Sequence, residues 1–202
     1  MNTDKIKQGS TKEAYINIID QAIGLSANDK ILFAEHLEEF ELKKKDFFLS
    51  TGGHCDKYAF IVSGLTRMYI VNEKGKEIIT CFFEDNYYMG DYASFTTGNP
   101  SDRYIQAVTE VKGVAMSLHG MVHLQKLVPR FKVYLDEAFQ SYMISKSRLQ
   151  REILSNEAYD AYQVFIKHHP KAGLYSPQRY IASFLGITEH SLSRAKSQNK
   201  GK

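Results

Sequence analysis

SPQRYIASFLGITEHSLSR, residues 176–194, is the stretch whose local signals agree most closely. Ser176 is a candidate N-cap, and Pro177 suits the first helical position, where its missing N–H costs nothing. Ile181 and Leu185 stand four apart and give the helix one buried face, with Ala182 small where another helix must cross closely. Gly186 ends it, since a tight turn here needs positive φ. Ile187 plugs the turn into the core. Thr188 then caps a second helix whose Leu192 and Ala195 point inward. Short helix, glycine-containing turn, short helix is the helix-turn-helix pattern.

The outer face of the second helix has its own chemistry. Glu189, His190, Ser191 and Arg194 lie off the Leu192/Ala195 face, where arginine can read guanine, glutamate can accept from cytosine, and serine or lysine can hold phosphate. Thr188, Arg179 and Lys196 complete the expected DNA-facing set. Charge supports this reading. Residues 167–202 hold seven Lys/Arg and one acid, a net of +6, whereas the preceding 166 residues hold 19 basic and 22 acidic residues, a net of −3. A basic segment on a mildly acidic body fits a phosphate-binding module joined to another domain. The alternatives are a solvated tail and an ordinary αα-hairpin in a helical core.

Upstream, the grammar changes three times. Residues 1–45 read as helical, with Ala14, Tyr15, Ile18, Ile19, Ala22 and Ile23 at helical spacing. Asp29 is the candidate cap of a second helix that includes Ile31, Leu32, Leu37 and Phe40, and three lysines at 43–45 break the pattern. Residues 46–118 turn into short β-rich runs at 47–49, 58–62, 65–71, 77–83, 104–109 and 113–117, separated by glycine-rich turns. Runs at this spacing imply a sandwich or jelly roll. The turn at 72–76 is the clearest hairpin, with Gly75 supplying positive φ. Residues 119–155 return to helix, with Pro129 in the first turn of a long one. Phe131, Leu135, Ala138, Tyr142, Ser145 and Leu149 form a heptad-like seam, and Phe139 and Met143 a second row beside it. Two apolar stripes call for two partners, the chain's own β-roll and the same helix of a second subunit. The seam residues Phe131, Leu135, Ala138, Tyr142 and Leu149 are assigned to the dimer interface. A helix over 157–168 and a break at Pro170 lead into the basic module.

The chain is thus expected to be α+β: an N-terminal sensor over 1–128, a dimerisation helix over 129–155 and a DNA-binding helix-turn-helix domain over 156–202. A hydrophobic fraction of 43% suffices for a core. No apolar run approaches the ~18 residues of a membrane span, and the polar start lacks a secretion signal, so a cytoplasmic protein without membrane contact is expected. Two cysteines, Cys55 and Cys81, are too few for a disulfide scaffold.

Two further stretches, FIVSGLTRMYIVNEKGKEI at 60–78 and YYMGDYASFTTGNPS at 87–101, resemble the nucleotide-binding roll of the cyclic-nucleotide-receptor/fumarate-nitrate-reductase (Crp/Fnr) superfamily. The ending at 176–194 resembles the helix-turn-helix of its Bacteroidetes-type members. The resemblance implies a transcriptional regulator that dimerises through the long helix and binds a two-fold operator on double-stranded DNA. It also implies that Glu189, His190 and Arg194 point at bases. Members that bind cyclic AMP carry Gly-Glu-Leu, then Arg-Ser/Thr-Ala, the arginine holding the cyclic phosphate and the glutamate a ribose hydroxyl. The corresponding ligand-pocket positions here are Gly90-Asp91-Tyr92 and Ser101-Asp102-Arg103. Ser101 replaces the phosphate arginine and Asp102 adds a negative charge, a loss of roughly 1.5–3 kcal/mol. Unless Arg103 takes over through a register shift, the effector is a small molecule other than cyclic AMP.

Neither metal nor cofactor is expected. An iron–sulfur sensor needs about four cysteines, and His54 beside Cys55, or His119 with His123, read as ordinary loop and surface residues. Only eight residues follow Arg194, so the β-hairpin wing of many relatives is expected to be missing or truncated. Two other readings stand beside the regulator: a ligand-binding or scaffold protein with a vestigial DNA module, and a cupin-like β-roll enzyme. The enzyme needs clustered His and carboxylate ligands, and residues 46–118 contain only His54. No catalytic residue is therefore assigned.

Overall fold

The computed structural model describes residues 9–198. Two capping boxes start the chain. Ser10 and Glu13 open α1 (Thr11–Ile23), and Ser26 and Asp29 open α2 (Ala27–His36). Asp29 is therefore the third residue of its helix, and Ser26 is the cap that Asp29 was expected to be. The helical reading of 1–45 also fails after His36, and its first eight residues lie outside the described ones. Residues Glu38–Leu42 form strand β1, paired antiparallel with Val111–Ala115 of a strand 70 residues away. Phe40 covers Gly113, where an added Cβ would come within 2.7 Å of its ring.

The roll follows as β2 (Phe47–Leu49), β3 (Lys57–Ser63), β4 (Thr66–Val71), β5 (Glu77–Phe83), β6 (Tyr88–Met89), β7 (Tyr104–Ala107) and β8 (Val111–Ser117), with the short helix α3 (Tyr92–Thr97) between β6 and β7. The strands form two four-stranded sheets, β1-β8-β3-β6 and β2-β7-β4-β5. Ile61, Met68, Met89, Ile105 and Val111 fill the space between them. The 72–76 hairpin is present: Gly75 has φ 73°, and the Asn72 side chain accepts the N–H groups of Lys74 and Lys76. Strand β6 and helix α3 lie between the expected runs at 77–83 and 104–109, each too short to show a period.

Helices α4 (Leu118–Leu127) and α5 (Pro129–Ser155) close the roll, Pro129 starting α5 as its spacing indicated. The α5 seam faces the chain's own body. Phe131 is buried edge-on against Phe33 at 4.8 Å, Leu149 is buried, and the Tyr142 hydroxyl lies 3.3 Å from Cys81 Sγ. Leu135 and Ala138 are half-buried on the same side. Phe131 and Leu149 are therefore closed to a second subunit, against the expectation, while Leu135, Ala138 and Tyr142 keep part of their surface open. The exposed apolar residues here include Val133 and Ile144 on one stripe of α5, and Phe139 and Met143 on another about 100° away.

The remaining helices are α6 (Ala158–His168), α7 (Pro170–Tyr175), α8 (Gln178–Leu185) and α9 (Glu189–Gln198). Pro170 opens α7, and α7 ends at Ser176. Ser176 is therefore no N-cap of α8: it is held extended before Pro177, as a pre-proline residue must be, and its hydroxyl is buried without a partner. Pro177 takes the N-cap place itself.

These helices share a core with the second sheet, in which Phe165, Ile181 and Leu192 meet Leu65, Tyr69, Ile79 and Phe82. Strand β5 is the outer strand of that sheet, and Ser183 seals its open edge. The Ser183 hydroxyl accepts the N–H of Ile79 at 3.1 Å and donates to the carbonyl of Glu77 at 3.0 Å. Glu84 accepts the N–H groups of Lys171 and Ala172 at the start of α7, and Lys171 pairs with Asp85 at 2.6 Å. The helical module is thus tied to the roll by backbone and charge as well as by apolar packing.

Candidate nucleic-acid interface and sensor cassette

The turn between α8 and α9 forms as its residues dictate. Gly186 is left-handed at φ 69°, and the N–H of Ile187 reaches back to the carbonyl of Ala182 at 3.0 Å. Thr188 Oγ1 accepts the N–H of Ser191 at 3.1 Å and lies 3.0 Å from the Ser191 hydroxyl, so Ser191 is engaged in the cap. Leu192 and Ala195 are buried at 0% and 3% exposure, which fixes the rotation of α9. That rotation leaves Glu189, His190 and Arg194 exposed together on the opposite face. Ser193 is exposed there too, four residues beyond Glu189, a position the sequence reading passed over. Lys196 lies at the margin, half-buried with Nζ 5.5 Å from the Tyr162 ring centre. Arg179, exposed on α8, donates to the Tyr180 hydroxyl at 3.3 Å.

Arg67, which the sequence reading did not single out, joins this module to the roll. Its side chain is 3% exposed and its guanidinium lies between the rings of Tyr69 (4.1 Å) and Tyr180 (3.7 Å). It donates to both carboxylate oxygens of Glu77 and to Gln106. The guanidinium beside Glu77 holds that carboxyl below its usual range. A planar, doubly stacked cation of this kind is work for arginine, not lysine.

The cassette at α3 has the opposite character. Gly90 admits no side chain, since a Cβ would lie 2.4 Å from the Tyr58 ring. Asp91 is buried as the N-cap of α3, its Oδ1 accepting the N–H of Ala93 at 3.1 Å and of Ser94 at 3.5 Å. The buried Ser101 hydroxyl donates to Asp91 Oδ2 at 2.7 Å, and its oxygen accepts the N–H of Arg103 at 3.1 Å. Arg103 Nε lies 3.4 Å from the exposed Asp102 and 3.9 Å from Asp91. Tyr92 is half exposed, its ring 5.0 Å from Phe139 of α5. The six pocket residues expected from sequence therefore do come together. The Asp91 carboxylate is taken up within the chain, by the α3 N–H groups and the Ser101 hydroxyl, and Ser101 brings no positive charge to the cassette.

The thiols and imidazoles nearby are structural. Burial raises the Cys55 thiol to about 11 and also raises that of Cys81, which keeps both protonated at neutral pH. His54 Nδ1 is 2.8 Å from the carbonyl of Gly98, and the rings of His119 and His123 are 6.0 Å apart. Among the described residues no three His, Cys, Asp or Glu side chains gather as a metal site.

Residues 39–126 match the family model of the cyclic nucleotide-binding domain. No curated protein matches the sequence. Among solved structures, FixK2 from Bradyrhizobium japonicum is similar at a TM-score of 0.69 and 16% identity, covering 80% of this chain and 83% of its own. The c-di-GMP-responsive global regulator CLP of Xanthomonas campestris gives 0.64 and 13% identity, over 87% of this chain and 93% of its own. A protein from Eubacterium rectale, described as a transcriptional regulator of the Crp/Fnr family, gives 0.66 and 16%, over 87% and 84%. No helix among the described residues is long and apolar enough to cross a membrane. Residues 39–126 are thus similar to the cyclic nucleotide-binding domain, and the chain shares the fold of these solved structures over most of its length.

Proposed function

We propose that this protein is a DNA-binding transcriptional regulator, a homodimer on a two-fold operator, with a sensor domain for an effector other than cyclic AMP. The carrying observation is the face of α9: Glu189, His190 and Arg194 are exposed together, while Leu192 and Ala195 lock the helix to α6 and α8. The exposed apolar stripes of α5, Val133 with Ile144 and Phe139 with Met143, support dimerisation. Two recognition helices about 34 Å apart would meet successive major grooves on one face of the duplex. The domain division at 128/129 and 155/156 follows from the same reading, with α5 as the dimer-forming link. An effector without a cyclic phosphate is supported by Ser101, which stands in place of the phosphate arginine and spends its hydroxyl on Asp91.

Selection of binders from a random-duplex library tests this reading. An inverted repeat should be enriched, and Arg194→Ala should cost about 1–3 kcal/mol on it while relaxing one base pair per half-site. The pair Val133→Glu and Ile144→Glu should give monomers in sedimentation and lose the repeat. If no repeat emerges and Arg194→Ala changes nothing, the DNA module is vestigial and the scaffold reading holds.

A further inference from the structure

A cleft of about 520 Å³ opens where β5, α5 and the α8–α9 turn meet, away from the α3 cassette. This is within the ~300–1,000 Å³ of ordinary small-molecule sites. Its walls are mainly apolar: Ile79 from β5, Leu149 and Ile153 from α5, and Phe184 and Leu185 from α8. Its polar lining includes Tyr142, Ser145, Gln150 and Ser183, and its only charged side chain is basic. Lys146, His168 and His169 line it, and no Asp or Glu does. Lys146 makes no ion pair among the described residues, its Nζ lying 5.7 Å from the Tyr142 ring centre.

His169 is 6% exposed, and its Nδ1 has no hydrogen-bond partner. The nearest carboxylate oxygen, on Glu84, is 3.9 Å away and committed to the N–H of Ala172. Nδ1 is sealed from solvent and lies on the Glu84 side, so His169 lines the cleft without offering that nitrogen to it. Burial lowers the His169 pKa to about 4, so at neutral pH the imidazole is uncharged, leaving Lys146 as the fixed cation.

We infer that this cleft is a second effector site, for an amphipathic anion: an apolar body against Ile79, Leu149, Ile153 and Phe184, with a carboxylate or similar acid held by Lys146 beside the two histidines. A molecule seated there touches the roll, the long helix and the helix-turn-helix at once. Its effect on DNA affinity would rest on the regulator reading; its binding does not.

Binding is measured on the full chain without DNA, using displacement of anilinonaphthalene sulfonate by decanoate below its micellar concentration, with decanol as the uncharged control. Decanoate should displace the dye at least tenfold better than decanol, and Lys146→Gln should abolish that difference. Lys146 is a half-exposed surface residue, so its loss leaves the fold intact. Ile153→Trp, which fills the cleft, should remove binding. Ala138 lines the adjoining cleft between α5 and Tyr58 and not this one, so Ala138→Trp should leave binding unchanged. Equal displacement by decanol, or loss of binding in Ala138→Trp alone, would overturn the site. Absence of saturable binding, with Ile153→Trp dissociating the protein in sedimentation, would assign the cleft to a second copy of the chain instead.

Discussion

Helices α3 and α9 are both short elements that begin on a side-chain cap, and they treat their surroundings in opposite ways. At α3 the cap is Asp91, an acid buried under Ser101, so the helix end is neutralised from within and closed to a further anion. At α9 the cap is the neutral hydroxyl of Thr188, and the residues after it look outward. The difference separates what packing requires from what a site's chemistry requires. A fold is kept by packing, here Gly90 under Tyr58 and Leu192 under α6, whereas the chemistry a site offers turns on one or two polar residues that packing does not require.

The largest test of that contrast removes packing from one side only. Leu192 is fully buried, so Leu192→Ala should cost about 2–5 kcal/mol in denaturant unfolding. Hydrogen exchange should rise in α6, α8 and α9, while β3, β8 and α3 keep their protection. If protection falls equally in α3, the cassette and the DNA module are a single cooperative unit, and the Arg67 stack between Tyr69 and Tyr180 is the place where they are joined.

How much of this was legible differs between the two regions for a physical reason. The helix-turn-helix is specified by signals within 19 residues: Gly186 for the turn, Thr188 for the cap, Leu192 and Ala195 for the inner face. Only its start was misplaced, because Ser176 reads equally well as the end of α7. Strand β1 was invisible. Its helix-like spacing through Phe40 continues that of α2, and the pairing with β8 that overrides it is 70 residues distant. Seam and second row on α5 were both legible, but which of them meets the roll depends on the rotation of a helix against a sheet. Phe131 on Phe33 and Tyr142 on Cys81 settle that rotation, and neither contact leaves a local trace. For α3, Asp91 and Gly98 were available as cap and stop signals, and the stretch between them was simply too short to carry a period. Arg67 left a signal only as a lone charge inside a strand.

The second test asks whether the closed cassette stays closed. Replacing a charge-assisted phosphate contact by Ser101 forfeits roughly 1.5–3 kcal/mol, and Asp91 at the α3 end adds repulsion. Calorimetry should therefore show no micromolar binding of cyclic AMP, and Arg103→Ala should change nothing. Micromolar binding that Arg103→Ala removes would mean that Arg103, 3.9 Å from Asp91, swings in to neutralise the site, making the two helix ends more alike than their resting geometry suggests.

The smallest effect is expected at the margin of α9. Lys196 divides its side chain between Tyr162, 5.5 Å below its Nζ, and the solvent beside the recognition face. As a phosphate contact it carries no base information, so Lys196→Ala should weaken all duplexes alike, by well under the 1–3 kcal/mol expected of a base-reading residue such as Arg194. Its signature is in the salt dependence. Each phosphate neutralised releases condensed counterions, so the slope of log K against log salt should flatten by about 0.9 per lysine lost. The contact with Tyr162 contributes about 0.5–1 kcal/mol to folding, which sets the accompanying loss in denaturant stability. A variant that loses this stability but keeps the slope would show that Lys196 belongs to the packing of α9 on α6. The outward face of α9 would then end at Arg194, and the open helix end would be narrower than its charge suggests.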